Sequence, residues 1–142
     1  MIYLLDTNIV SYLVKAQDFR LIDKFEHADK TATIGISSIT SAELYYGVKK
    51  KNSPKLTLAV ETFLSPLHIF EFDQQASAVY GDVRTALENK GTLIGSYDML
   101  IAAHALSLNA TLITNNVREF ARVSGLTVEN WVEQPEPCVS RA

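Results

Sequence analysis

Short apolar runs alternate with longer amphipathic stretches along nearly the whole chain, and no tight hairpin turn joins one run to the next. Ile2-Tyr3-Leu4-Leu5, Thr33-Ile34-Gly35-Ile36, Leu67-His68-Ile69-Phe70, Thr111-Leu112-Ile113-Thr114 and the smaller Leu126–Val128 read as strands. Strands joined only through long crossovers pair in parallel, and a parallel sheet is covered on both faces. The predicted fold is therefore α/β, a parallel sheet of about five strands with helices on both faces.

Caps and periodicity place the helices. One is predicted over Thr7–Lys15 and a second over Phe19–His27, and Ser38 caps a third reaching about Lys50. Ser53 followed by Pro54 opens a fourth that ends near Leu64, and Asp73 begins a long fifth that stops at Lys90-Gly91. Ser96 caps a sixth running through Leu108, and a short seventh covers about Val117–Ala121.

Composition narrows the class. At 142 residues the chain is one domain's length, and 47% hydrophobic with 20% charged residues excludes wholesale disorder. The domain is expected over residues 1–132, with 133–142 (EQPEPCVSRA) a poorly ordered tail. A net charge of −3 argues against nucleic acid held by a bulk positive field, though not against phosphates held locally through a cation. The single cysteine, Cys138, excludes an internal disulfide and suits a reducing compartment. The apolar stretch Met1–Leu5 stops at Asp6, far short of a signal peptide or membrane span. A cytoplasmic protein with no membrane partner is the expectation.

In open parallel sheets ligands bind at the carboxyl ends of the strands. Asp6-Thr7-Asn8 directly follows the first strand and Thr114-Asn115-Asn116 the fourth. Glu43 lies one turn into the helix after the second strand, Asp98 in the first turn of the helix that leads to the fourth, and Glu119 three residues after Asn116. Four acids from distant segments can thus share one cleft. Carboxylates that close repel unless a cation sits among them or some are protonated. A set of oxygen ligands without a Cys/His cluster favours Mg²⁺ or Mn²⁺ over zinc.

Structural readings stand beside these. Asp6 suits a helix cap, and Asp98 suits the positive end of a helix dipole for roughly 0.3–1 kcal/mol. Thr40-Ser41-Ala42-Glu43 fits a capping box, as does Asn116-Val117-Arg118-Glu119 more loosely. His68 is expected in a buried strand, His104 in the core and His27 at the end of an exposed helix, so no catalytic histidine pair is read. Lys49-Lys50-Lys51 with Lys55 reads as a solvated helix end or as a contact to the phosphates of a ligand. Leu44, Tyr45 and Tyr46 read as core or dimer contacts, and Cys138 as inert.

LLDTNIVSYL at the start, SSITSAELYYGV in the middle, and GSYDMLIAAHAL with ATLITNNVREF near the end resemble PIN-domain ribonucleases, and within them the VapC toxins of bacterial toxin–antitoxin pairs. The resemblance runs from Met1 to about Trp131. It implies a five-stranded parallel sheet and a Mg²⁺-dependent acidic site that cuts single-stranded loops of RNA, with Mn²⁺ as a substitute. Asp6, Glu43 and Asp98 match the family's first three acids. Many members have TND where this chain has TNN, so Asn116 stands at the usual fourth aspartate and Glu119, of the NxxEF pattern, is the alternative. Asp6 and Asp98 are then the metal ligands, aided by Glu43 and Glu119, with Thr7, Asn8 and Asn116 in support. A tRNA is the expected substrate, initiator tRNA being cut in its anticodon loop by toxins of this branch. The implied partner is a VapB-like antitoxin whose DNA-binding half represses the operon and whose tail crosses the cleft. A homodimer through the first helices, using Ile9, Leu13 and the tyrosines, and a hetero-oligomer with the antitoxin complete the picture.

Metal-assisted hydrolysis by water predicts products with a 5′-phosphate and a 3′-hydroxyl. Two rivals remain. An aspartyl-phosphate enzyme needs a second aspartate where Asn8 stands, and an interaction module would use the acids only as caps.

Overall fold

The computed structural model describes residues 1–15 and 18–132; the tail with Cys138 lies outside the described residues. The chain runs β1 (Ile2–Leu5), α1 (Thr7–Lys15), α2 (Phe19–Thr31), β2 (Thr33–Ser37), α3 (Ser38–Lys51), α4 (Pro54–Leu64) and β3 (His68–Phe70). It continues through α5 (Gln74–Lys90), α6 (Ser96–Ser107), β4 (Thr111–Ile113), α7 (Val117–Phe120) and β5 (Thr127–Glu129). The five strands form one sheet in the order β3-β2-β1-β4-β5, and every pairing is parallel. The predicted α/β class and strand number both hold.

Two apolar clusters cover the two faces, and the two-residue period of a strand sorts side chains between them. Leu4 of β1 and Leu112 of β4 enter the cluster built with Val83 and Leu87 of α5 and Ile101 and Ala102 of α6. Their neighbours Leu5 and Ile113 enter the other, with Ile9, Val10 and Leu13 of α1, Leu44 and Val48 of α3, and Val60 of α4. Ile9 and Leu13 are 0% and 7% exposed, which corrects the expectation that they offer a dimer surface: α1 turns them inward against the sheet. On these helices Tyr12, Tyr45 and Tyr46 are the aromatics left exposed.

Several boundaries differ from the sequence reading for local reasons. The third helix is capped by Ser37, whose Oγ accepts from Ile39 N–H, while Ser38 Oγ accepts from Phe72 N–H and ties the helix to the segment after β3. The cap of α6 is Gly95, so Ser96 is its first helical residue. α2 continues past His27 to Thr31, leaving His27 inside an exposed stretch beside Asp23. β3 is an edge strand, so His68 is exposed and packs on Phe70 instead of lying in the core. Opposite it, Gly35 permits close strand approach: a Cβ there would run into His68 O and the Phe70 ring.

Strand numbers descend on one side of β1 and rise on the other, so the order reverses between β1 and β4. At such a switch point, beyond the carboxyl ends of the strands, an open α/β sheet leaves its crevice.

Candidate active site

Asp6 stands at that reversal. Its N–H donates to Ile113 O at 2.9 Å, extending the β1–β4 ladder by one bond and fixing the residue between the two strand ends. The side chain is 6% exposed. Both oxygens are held: Thr114 Oγ1 donates to Oδ2 and Thr7 N–H to Oδ1, each at 2.7 Å. Burial raises the Asp6 pKa, these hydrogen bonds oppose the rise, and the charge of Glu119 adds to it.

Glu43 faces the same crevice from α3. It does not close a capping box with Thr40, because the helix has already started at Ser38 and Thr40 is fully buried with an unpartnered Oγ1. Instead Glu43 Oε1 accepts from Thr7 Oγ1 at 2.9 Å, so Thr7 bridges two acids, through its backbone to Asp6 and through its hydroxyl to Glu43. Burial raises the Glu43 pKa, the Thr7 bond opposes it, and Asp6 adds to it.

Asp98, in the first turn of α6, is pushed up to about 6, first by burial and then by the charges of Asp6, Glu119 and Glu43 in that order. Among the described residues no hydrogen bond stabilises its charged form. Gly95 lies beside it, where a Cβ would come within 3.2 Å of Asp98 Oδ2. Glu119 is anchored across two elements: its Oε1 accepts from Gly95 N–H at 3.1 Å and its Oε2 from Asn116 Nδ2. It therefore satisfies the N–H of the N-cap residue of α6 from outside that helix, whose cap Gly95 makes no side-chain bond of its own. Asn116 caps α7 without a side-chain bond to that helix's backbone, so the second capping-box reading also fails in its usual form.

Asp98 thus lies in the fields of the three other predicted acids, Asp6 in that of Glu119 and Glu43 in that of Asp6. Thr7 and Asn116 donate to carboxylates of this set, whereas Asn8 is exposed and among the described residues no hydrogen bond joins it to them. Thr114 and Gly95 were given no role by the sequence reading. Thr114, fully buried just after β4, also accepts from Asn116 N–H at 3.0 Å, and a hydroxyl residue closing a buried strand was its only sequence signal. His104 is outside the site. It is buried on α6, its pKa lowered by burial, with Nδ1 at 2.7 Å from Ser37 Oγ.

An all-carboxylate set with Asp98 near neutrality suits a hard divalent cation, whose charge would relieve the repulsion. The match is in donor chemistry and charge. Among the described residues no three such side chains already converge closely enough to enclose a metal ion. Asp6, Glu43 and Glu119 are instead drawn to hydrogen-bond donors, which leave further lone pairs on each carboxylate.

The PIN domain family profile matches residues 3–126. Ribonuclease VapC2 of Rickettsia felis is 46% identical over 132 residues, 92% of this chain and 98% of that protein. The tRNA(fMet)-specific endonuclease VapC of Salmonella typhimurium is 40% identical over 130 residues, 91% of this chain and 97% of that one. Among solved structures, VapBC2 from Rickettsia felis bound to a promoter DNA fragment superposes with a TM-score of 0.89 at 45% identity, covering 93% of this chain and 100% of that chain. DNA-bound VapBC from Salmonella typhimurium gives 0.87 at 37%, covering 93% and 99%. With the strand order, the acids at the switch point and these likenesses together, the chain belongs to the PIN-domain family, in its VapC branch.

Proposed function

We propose that this chain is a divalent-metal-dependent endoribonuclease, the toxin of a toxin–antitoxin pair. The observation that carries the reading is the gathering of acids around Asp98, a half-buried carboxyl pushed up to about 6 first by burial and then by the charges of Asp6, Glu119 and Glu43. Structural caps would gain nothing from standing so close together, whereas a cation site needs that concentration of negative charge.

Asp6 and Asp98 are the ligands, with Glu43 and Glu119 completing the charge, and Mg²⁺ is the cation, Mn²⁺ substituting. Bound there, a divalent ion supplies charge neutralisation at the scissile phosphate and lowers the pKa of water. The chain's own contribution is orientation. Thr114 and Thr7 hold the Asp6 carboxylate in one setting, Thr7 holds Glu43, and Gly95 with Asn116 holds Glu119. Asp98, for which no such bond is present among the described residues, is the carboxylate able to turn toward the cation.

The substrate is RNA, and the named specificity of the Salmonella typhimurium relative points to initiator tRNA. A VapB-like antitoxin neutralises the activity, as the solved VapBC complexes of relatives suggest, within a hetero-oligomer built on a toxin homodimer. Localisation is cytoplasmic, in keeping with the finding that no helix among the described residues is long and apolar enough to cross a membrane.

Incubating the purified chain with RNA and Mg²⁺ tests this. Cleavage that EDTA stops and Asp98→Asn abolishes, leaving 5′-phosphate and 3′-hydroxyl ends, is the expected result. Undiminished cutting by Asp98→Asn at saturating Mg²⁺ would remove that residue from the site.

A further inference from the structure

A groove leaves the acidic site between α1, α3 and α4, enclosing about 180 Å³, and two of its walls repeat one pattern. On α1 the wall reads Thr7, Ser11, Lys15; on α3 it reads Glu43, Gly47, Lys51. Spacings of four put each trio on one helical face. Each begins at a residue of the site, passes a small residue and ends in an exposed lysine in the helix's last turn. Eight residues of helix at 1.5 Å each set both lysines roughly 12 Å from the site end. Leu44, Val48 and Val60 form an apolar floor between them.

Gly47 is the informative residue. It lies within α3, where glycine weakens a helix, yet a Cβ added there would meet nothing within 4 Å. Nothing inside the chain requires the missing side chain; the space it leaves is the groove. Cation-binding carboxylates at one end and a pair of lysines at the other make two anchoring points for a polyanion, with room between them for close approach to both helices.

We propose that this groove is the track of the single-stranded RNA beside the scissile phosphate. Lys15 and Lys51 hold backbone phosphates, Ser11 and Gly47 let the sugar–phosphate chain lie against α1 and α3, and the floor covers a ribose or base. The proposal rests on the endoribonuclease reading above and adds the path by which the substrate lies across the molecule. Lysines in last turns also complement helix dipoles, so the test needs a control of that kind.

The double variant Lys15→Gln/Lys51→Gln is compared with wild type on a single-stranded RNA, with Mg²⁺, across a salt series. The control is Lys24→Gln/Lys30→Gln, which changes charge equally on exposed positions of α2 and includes that helix's last-turn lysine. KM should rise about five-fold or more with kcat little changed, and the plot of log kcat/KM against log salt should become shallower by about 1.4, the single-strand value for two phosphate contacts. The control should match wild type. Gly47→Leu, which fills the groove, should raise KM for the same RNA at an essentially unchanged melting temperature. If wild type cuts while the Lys15/Lys51 variant keeps its KM and salt slope, the track is overturned and the nuclease reading stands. If wild type cuts no RNA, the nuclease reading fails and the track falls with it. Normal RNA kinetics in Gly47→Leu with loss of antitoxin binding would assign the groove to a protein segment and overturn the RNA track.

Discussion

Thr114 shows how one buried hydroxyl organises the site. Its Oγ1 donates to Asp6 Oδ2 and accepts from Asn116 N–H, so a single atom sets both the orientation of the first acid and the start of the loop that carries Glu119. Thr114→Val keeps the shape and removes the hydroxyl. Partners of this kind that orient a metal ligand are worth 10–100-fold in affinity or activity. Mg²⁺-dependent cleavage by Thr114→Val should therefore fall by about 10–100-fold, measured as kcat/KM across a magnesium titration, with the variant still folded by circular dichroism. Glu119 is a harder residue to replace silently. Its two oxygens accept from Gly95 N–H and Asn116 Nδ2, and a glutamine has only one acceptor to offer. Glu119→Gln should then weaken Mg²⁺ binding and also lose one of these bonds, about 1 kcal/mol of stability partly offset by relieved repulsion from Asp98. Isothermal titration with Mg²⁺ beside thermal melts separates the two effects; wild-type Mg²⁺ affinity in Glu119→Gln would make the residue a cap alone.

At the scale of elements, the edge of the sheet is set by a close approach. β2 pairs with β3 through Gly35↔His68, and the His68 carbonyl and Phe70 ring occupy the space where any Cβ at position 35 would stand. Gly35→Ala should destabilise the fold by about 1–3 kcal/mol, the usual range for overpacking a close contact, and urea unfolding checks it. The cost falls on β2 and so on α3, whose N-cap Ser37 ends that strand and whose next turns carry Glu43. A glycine inside an apolar run was visible in the sequence; the reason for it was not, because His68 and Phe70 approach only once the strands pair. Most other element ends were legible to within a residue or so, α2 excepted, which runs four residues past its predicted end. Ser53-Pro54, Asp73 and Gly91 act where they were predicted, since a cap is an interaction over two to four residues of chain.

Across the whole molecule, the burial of these carboxylates, and then their closeness to one another, makes metal-free stability depend on pH in an unusual direction. Asp6, Glu43 and Asp98 all have folded-state pKa values above their ordinary ones, so the folded chain binds protons more strongly than the unfolded chain. The stabilisation they provide is fully present only below the ordinary carboxylate range and is lost as pH rises through the folded values, which for Asp98 means through about 6. Asp98 is about half buried, and after allowance for solvent screening its share is on the order of 1 kcal/mol. Melting in EDTA should give a higher temperature near pH 5 than near pH 7. Mg²⁺ should stabilise more at pH 7 than at pH 5, because protons compete for the same oxygens. A flat profile in EDTA would overturn the raised pKa values of these three acids and with them this pH dependence.

By itself the sequence determined the parallel α/β class and the positions of most strands and helices, and it offered the acids Asp6, Glu43, Asp98 and Glu119 as candidates for one cleft. These follow from periodicities and caps that act within a few residues, together with the rule that parallel sheets bind ligands at their strand ends. Only the tertiary structure decided that β1 sits at the reversal of strand order, that Thr114 reaches Asp6 across 108 positions of chain, and that Ile9 and Leu13 face inward. It also decided that Glu119 accepts from the N-cap residue of a helix to which it does not belong, and that the trios ending in Lys15 and Lys51 face one another. Each of these depends on which elements become neighbours, and that is settled by packing two apolar faces against one sheet, a condition the whole chain satisfies at once and no local window contains.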